Sequence, residues 1–266
     1  MNALIPAAAL GAVVALGMGA AGYVAGSSST APVPATSAAA ASAAPDRAAV
    51  EAIVRDYLVT NPEIMIEVQQ ALETRQAETQ RVAQTEIIRS AENEIFNASY
   101  DGIIGNPEGD VTIVEFFDYN CGYCKRALQD MEALVESNPD LRFVLKEFPI
   151  LGPDSQRAHV VSMAFHNLWP ENYGAFHRDL LAGEARVTED EAILAAVSHG
   201  ADEAALRQEM QNPDIIAAFQ ATYALAEQLS ITGTPSYVVG DEVVFGAMGQ
   251  EVLAEKIEQV RAENPS

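Results

Sequence analysis

The sequence predicts a mixed α/β domain with a helical insertion, preceded by a helical extension, and three observations carry that prediction. Val111-Thr-Ile-Val-Glu-Phe is mostly β-branched or aromatic, the composition of a buried strand. Cys121-Gly122-Tyr123-Cys124 follows a short turn and opens a helical pattern that runs to about Ser137. After the break at Asn138-Pro139, Leu141-Arg-Phe-Val-Leu-Lys-Glu-Phe reads as the next strand. Together they form a βαβ unit with its cysteines at the C-terminal end of the first strand, where open α/β sheets place their active sites.

The other elements follow in chain order. No charged side chain precedes Asp46, and Ala3 to Val24 is almost wholly apolar or small. Residues 1–26 are therefore a membrane anchor or a signal segment; the small residues Gly19-Ala20-Ala21 offer a cut site, while the length favours an anchor. The lack of Lys or Arg before the segment is unusual for either. Residues 27–45 are Ala, Ser, Thr and Pro with one Val, a flexible linker. Residues 46–99 read as a helical extension. Asp46 caps a first helix, and Val50, Ile53, Val54, Tyr57 and Leu58 share one face of it. Asn61-Pro62 ends that helix and starts another, with Ile64, Met65, Val68 and Leu72 continuing the stripe. Such a helix packs on the main domain or pairs with copies of itself, so 46–98 is a candidate oligomerisation segment.

Residues 100–264 form the main domain. Tyr100 to Pro107 reads as a loop or short hairpin, from Gly102, Gly105 and Asn106-Pro107. After the βαβ unit, about 154–230 is helical throughout, broken at Trp169-Pro170, Gly183, Gly200 and Asn212-Pro213. Ile231-Thr-Gly-Thr-Pro-Ser leads into a hairpin, Tyr237-Val-Val and Val243-Val-Phe around Gly240-Asp241-Glu242. Val252 to Ala262 is a last amphipathic helix.

Composition narrows the function. Fifteen Lys and Arg against 38 Asp and Glu leave a net charge of −23, which argues against nucleic acid as a partner. The chain has only 2 cysteines, so no multi-bridge framework and no Cys₄ zinc site is available. A lone C-x-x-C between a buried strand and a helix is a redox signal. Cys121, at the helix N-terminus, meets unpaired N–H groups and the helix dipole, which favour its thiolate and make it the expected nucleophile. Cys124, one turn on, is the expected resolving thiol. Glu115 lies six residues before Cys121 in an apolar strand, where a carboxylate must be paired or neutral. Alternation places it with Ile113 and Phe117; Lys146 on the neighbouring strand is either its partner or a rim charge, and Asp118 is a loop residue tuning the local field. His159, His166, His177 and His199 read as surface or helix-packing residues.

The order of elements resembles the DsbA-like thioredoxin-fold proteins over roughly residues 110–262. The motifs that carry it are Glu115-Phe-Phe-Asp-Tyr-Asn-Cys-Gly-Tyr-Cys-Lys, Lys146-Glu-Phe-Pro-Ile-Leu-Gly and Gly233-Thr-Pro-Ser-Tyr. The resemblance implies a thioredoxin fold with a helical insertion and a protein dithiol–disulfide oxidoreductase needing no cofactor or metal. It implies a place in the bacterial periplasm or at its membrane, cysteine-containing exported proteins as substrates, and a membrane redox partner that recycles the pair. It makes Glu115 a proton carrier for the resolving cysteine and Pro235 a cis-proline opposite the cysteines. Thr234 then offers its backbone to an extended substrate strand. The helical extension looks like that of extended family members, some of which oligomerise through it. The family's most oxidising members carry histidine between the cysteines; Tyr123 stands here, so donor and isomerase or reductase directions both stay open. Two other readings are a Cu(I)-binding protein using both thiolates and a non-catalytic binding module.

Overall fold

The computed structural model describes residues 46–263, so the expected anchor or signal segment and the linker lie outside the described residues. The chain divides into two units, one ending at Thr60 and the other starting at Asn61. In the first, α1 (Arg47–Thr60) buries no residue. Its Val50, Ile53 and Val54 are exposed on one helical face.

The second unit is built on a sheet of five strands, in the order β1-β3-β2-β4-β5. The strands are β1 (Gly102–Gly105), β2 (Val111–Phe117), β3 (Leu141–Glu147), β4 (Ser236–Val239) and β5 (Glu242–Phe245). β2 pairs parallel with β3 and antiparallel with β4. β1 reads from sequence only as a loop or hairpin, because four residues with glycine at both ends carry no strand periodicity; it is instead an edge strand, antiparallel to β3.

Alternation along the strands divides two cores. On one face Val111, Ile113, Phe117, Phe143, Leu145, Tyr237 and Val239 pack with α4 (Gly122–Ser137), α10 (Gln250–Glu263) and the insertion. That insertion is α5 (Pro153–Leu168), a 3-10 turn at Pro170–Asn172, α6 (Tyr173–Ala182), α7 (Glu189–Ser198), α8 (Glu203–Glu209) and α9 (Pro213–Gln228). On the other face Val114, Phe116, Val144 and Val238 meet Leu225 and Ala226 of α9 and Leu229 just past its end. They also meet Ile88 and Ile95, from α2 (Glu63–Ser90) and α3 (Glu92–Phe96), and Ala91 between them. β2 is thus buried on both faces, which is why it reads as a nearly unbroken apolar run. Each fully buried Phe, such as Phe116 or Phe117, contributes about 2–3 kcal/mol. The C-terminal part of α2 also covers the outer edge of β5: the Gln84 side chain accepts from Val243 N at 3.2 Å, and Thr85 Oγ1 donates to Asp241 Oδ2 at 3.3 Å.

Candidate active site

Three loops at the C-terminal ends of β2 and β3 and before β4 build the site. Cys121 is the N-cap of α4, in extended conformation (φ −82°, ψ 113°). Its Sγ accepts from the Cys124 amide at 3.4 Å, taking up an N–H the helix leaves unpaired. Both cysteines are free thiols, Cys121 6% exposed and Cys124 0%. The Cys124 thiol, the Thr234 hydroxyl and backbone amides favour the Cys121 thiolate against the penalty of burial, and the balance lowers its pKa to about 5. As a thiol, Cys121 donates to Thr234 O at 3.1 Å, a contact that favours the protonated form. Burial pushes the Cys124 thiol far up, and the hydrogen bond to Cys121 and the charge of Glu115 add to it. Burial and hydrogen bonding thus shift the two thiols in opposite directions, Cys121 down and Cys124 up, as a nucleophile and a reserve thiol require.

The Thr234–Pro235 peptide bond is cis, and Pro235 O accepts from Gly246 N at 2.9 Å. Glu115 stands opposite Tyr237 of β4 and is buried, with neither carboxylate oxygen hydrogen-bonded. Burial first, then the charges of Cys121 and Asp130, raise its pKa to about 8. An unpaired carboxylate in an apolar setting is expensive as an anion, so the group is largely protonated at neutral pH. Cys121, Cys124, Glu115, Thr234 and Pro235 are thus brought to one place.

Lys146 is neither Glu115's partner nor a rim charge. It pairs across with Phe116, so its side chain enters the opposite face. There it is fully buried, donating to Asp101 Oδ2 at 2.5 Å and to Glu94 O. Burial raises Asp101 to about 7 and lowers Lys146, the opposed shifts of a desolvated pair. Strand parity, not sequence distance, separates Lys146 from Glu115.

Asp118, His159 and Glu147 do more than their sequence positions indicate. Asp118 is buried, accepting from Asn120 N (2.8 Å), Ile150 N (2.9 Å), Leu151 N (3.0 Å) and Ser155 Oγ (2.8 Å). It joins the β2–α4 and β3–α5 loops. His159 and His177 are fully buried in α5 and α6, the helix-packing alternative and not the surface one. His159 Nε2 accepts from Tyr119 N at 3.1 Å, while its Nδ1 bonds Glu147. That pattern sets the tautomer: Nδ1 carries the proton. Tyr119 Oη bonds Ser162 Oγ (2.8 Å) and His177 Nδ1 (3.1 Å). The signal that sequence reasoning missed is the strand-end Glu147 with His159 further along the chain, a pairing visible only once α5 packs on the sheet.

The surroundings are apolar and exposed. Tyr123 is 60% exposed, with the Arg126 guanidinium 4.2 Å from its ring centroid. Ile150, Leu151, Phe245 and Met248 are also exposed, on loops or strand ends next to Asp118 and Pro235 partners. A cleft of about 660 Å³ among Val160, Met210, Ile216, Phe219 and Tyr223 involves neither cysteine. Among the described residues no group of three or more His, Cys, Asp or Glu is arranged to hold a metal.

A low-pKa thiol above a buried one, beside a cis-proline, at the end of a central strand, defines a dithiol–disulfide oxidoreductase of thioredoxin fold. Residues 112–258, more than half the chain, match the DSBA-like thioredoxin domain, and the chain belongs to that family of thiol:disulfide oxidoreductases. Residues 46–78 match the N-terminal domain of the copper resistance protein ScsC. The chain is 38% identical to a thioredoxin-like oxidoreductase from Silicibacter pomeroyi DSS-3, covering 64% of this chain and 97% of that one, at a TM-score of 0.61. A linker-deleted variant of Proteus mirabilis ScsC is 27% identical, covering 84% and 99%, at 0.64. Disulfide bond formation protein D of Bacillus subtilis is 23% identical over 59% of this chain and 75% of that protein.

Proposed function

We propose that the protein exchanges disulfides with exported cysteine-containing proteins, with Cys121 as nucleophile, Cys124 as resolving thiol and Glu115 as its proton acceptor. The Cys121 thiolate attacks one sulfur of a substrate disulfide; that S–S bond breaks and one substrate cysteine leaves as thiolate. Cys124 passes its proton to Glu115 and attacks Cys121 Sγ. The mixed disulfide breaks, the second substrate thiolate leaves, and the pair has given two electrons and become a disulfide. Reversed, the same steps deliver a disulfide to a dithiol. Glu115 suits the timing. The Cys121 thiolate raises its pKa, so once that sulfur is neutral in the mixed disulfide, Glu115 ionises more readily, just when Cys124 must lose a proton. Thr234 and Pro235 hold the substrate backbone as an added strand.

The observation carrying this reading is Cys121 at the N-cap of α4, held by the Cys124 amide. Stabilising the thiolate stabilises the dithiol over the disulfide, which makes the pair oxidising. The preferred direction is therefore disulfide donation, with a membrane redox partner restoring the disulfide. The apolar segment at residues 3–24 supports export to a periplasm and tethering at its membrane. A second reading, isomerisation by an oligomer, is favoured by the exposed Ile53, Val54, Met65, Val68 and Leu72 in the stretch that resembles the ScsC N-terminal domain. Copper is not favoured, since among the described residues no group of three or more His, Cys, Asp or Glu is arranged to hold a metal.

The test is the equilibrium of the pair with glutathione, alongside refolding of reduced ribonuclease by parent and Cys121→Ser protein. A potential well above that of thioredoxin, with refolding lost in the variant, is expected. Refolding unaffected by Cys121→Ser overturns the reading. Molecular size with and without residues 46–78, the stretch that carries those exposed side chains, decides between donor monomer and oligomer.

A further inference from the structure

We infer that Asn120 is a positioning residue that, with Lys125, holds segment 183–187 as a substrate-facing wall beside Cys121. The two residues flank the C-x-x-C in sequence, and both reach the same piece of chain. The Asn120 carboxamide acts as a peptide group: Nδ2 donates to Val187 O at 2.9 Å and Oδ1 accepts from Val187 N at 2.7 Å. Its second N–H donates to Ser155 Oγ at 3.1 Å. Lys125 Nζ donates to Ala185 O at 2.8 Å and to Gly183 O. Arg186 is tied to Asp154 Oδ2 at 2.7 Å, on α5 behind the β3–α5 loop.

These contacts matter because the segment has little else. It links the end of α6 to the Thr188 capping box of α7, and no backbone–backbone hydrogen bond among the described residues ties 184–187 to the sheet or to another loop. Gly183 to Arg186 are exposed; only Val187 is buried. A short link held by side chains moves when those side chains are lost. Asn fits this position chemically, since only a carboxamide offers donor and acceptor in the peptide pattern at this length. Its backbone is itself fixed, since Asn120 N donates to Asp118 Oδ1 at 2.8 Å. The position of 183–187 is therefore registered to the residue preceding the nucleophile.

The chemical consequence is selective. A small disulfide needs only the Cys121 sulfur. A polypeptide disulfide must also seat its chain against what surrounds Cys121: the Thr234–Pro235 backbone, whose Thr234 O is 3.1 Å from Cys121 Sγ, and the exposed segment bonded to the residues that flank the C-x-x-C. Loss of the Asn120 clasp weakens polypeptide binding more than sulfur chemistry. The inference rests on Cys121 being the nucleophile.

The experiment compares full-length parent, Asn120→Leu and Lys125→Met. Asn120→Leu keeps size and adds no charge; Lys125→Met keeps the stem and removes the ammonium. Each is assayed with a disulfide-bonded polypeptide and with 5,5′-dithiobis(2-nitrobenzoate), and the Val187 amide is followed by hydrogen exchange. For Asn120→Leu, Val187 exchanges at least tenfold faster, and KM for the polypeptide rises about tenfold while its kcat stays within about threefold. The aromatic disulfide reacts within about twofold of the parent rate. Lys125→Met shifts the polypeptide KM in the same direction by a smaller factor, and decides alone if Asn120→Leu does not fold. An unchanged polypeptide KM with faster Val187 exchange, or equal losses on both substrates, overturns the inference. Cys121→Ser is run alongside: if it still reacts with the aromatic disulfide through another group, the reading of Cys121 fails rather than the role of Asn120.

Discussion

Replacing Glu115 by Gln is expected to stabilise the reduced protein at pH 8 while slowing it, with a benefit that shrinks as pH falls and is outweighed by the amide penalty near pH 5. The folded pKa is raised, from 4.5 to about 8, by burial without a hydrogen-bond partner. The sign follows from proton binding. Below the unfolded pKa both states hold the proton and the group is neutral to stability. As pH rises past it, the unfolded chain releases the proton and the folded chain does not, so Glu115 destabilises the fold increasingly until about pH 8. A shift of 3.5 units at about 1.4 kcal/mol each bounds the effect at about 5 kcal/mol. Gln cannot ionise and lifts that burden, while its unpaired amide adds a pH-independent penalty of about 1–3 kcal/mol. Urea unfolding of parent and Glu115→Gln, both reduced, at pH 5 and pH 8 measures the difference. The variant is expected to gain about 2–5 kcal/mol relative to the parent between those two pH values. In the oxidised proteins the gain is smaller, because the Cys121 thiolate that helps raise Glu115 is gone. A difference that does not change with pH would refute both the burial argument and the proton-acceptor role built on it.

Three further outcomes are expected. Alkylation of reduced protein by iodoacetamide rises through a midpoint near pH 5, the Cys121 thiolate, and a midpoint above pH 7 would remove the basis for an oxidising pair. The matching linkage has the opposite sign to Glu115: the lowered Cys121 pKa stabilises the reduced fold above the unfolded thiol pKa, and that stability is lost as pH falls toward 5 in parent but not in Cys121→Ser. Lys146→Met leaves Asp101 buried without its cation and destabilises by about 3–5 kcal/mol at pH 9, where the parent's Asp101 is ionised, and less at pH 5, where Asp101 is protonated; thermal melts of that variant and of Lys146→Met with Asp101→Leu check it, the double variant recovering most of the loss.

Much of the fold was legible because it is written in local pattern. β2, α4 and β3 have the composition and breakers of a βαβ unit, and the hairpin and last helix carry turn chemistry and a stripe. The end of α2 and the short α3 were less so: Ile88, Ala91 and Ile95 lie in a largely polar stretch, and only the sheet face they cover reveals them as core. β1 escaped because an edge strand of four residues is defined by its partner β3 and not by its own side chains.

The active site divides the same way. The sequence alone placed Cys121 at the N-terminus of a helix and Cys124 one turn on, from the i to i+3 spacing; the start at Gly122, with Cys121 as its N-cap, is the structure's. The sequence also placed Glu115 with Ile113 and Phe117 by strand alternation, while its full burial came from the packing of both sheet faces. Only the tertiary structure decided who faces whom. Lys146 turned to Asp101, and His159 came across 40 residues of chain to hold the amide of Tyr119. Asn120 met Val187 across 67 residues of chain. Hydrogen bonds of this kind join groups far apart in sequence and leave no period in it; they exist only after the apolar faces have packed and brought the loops together.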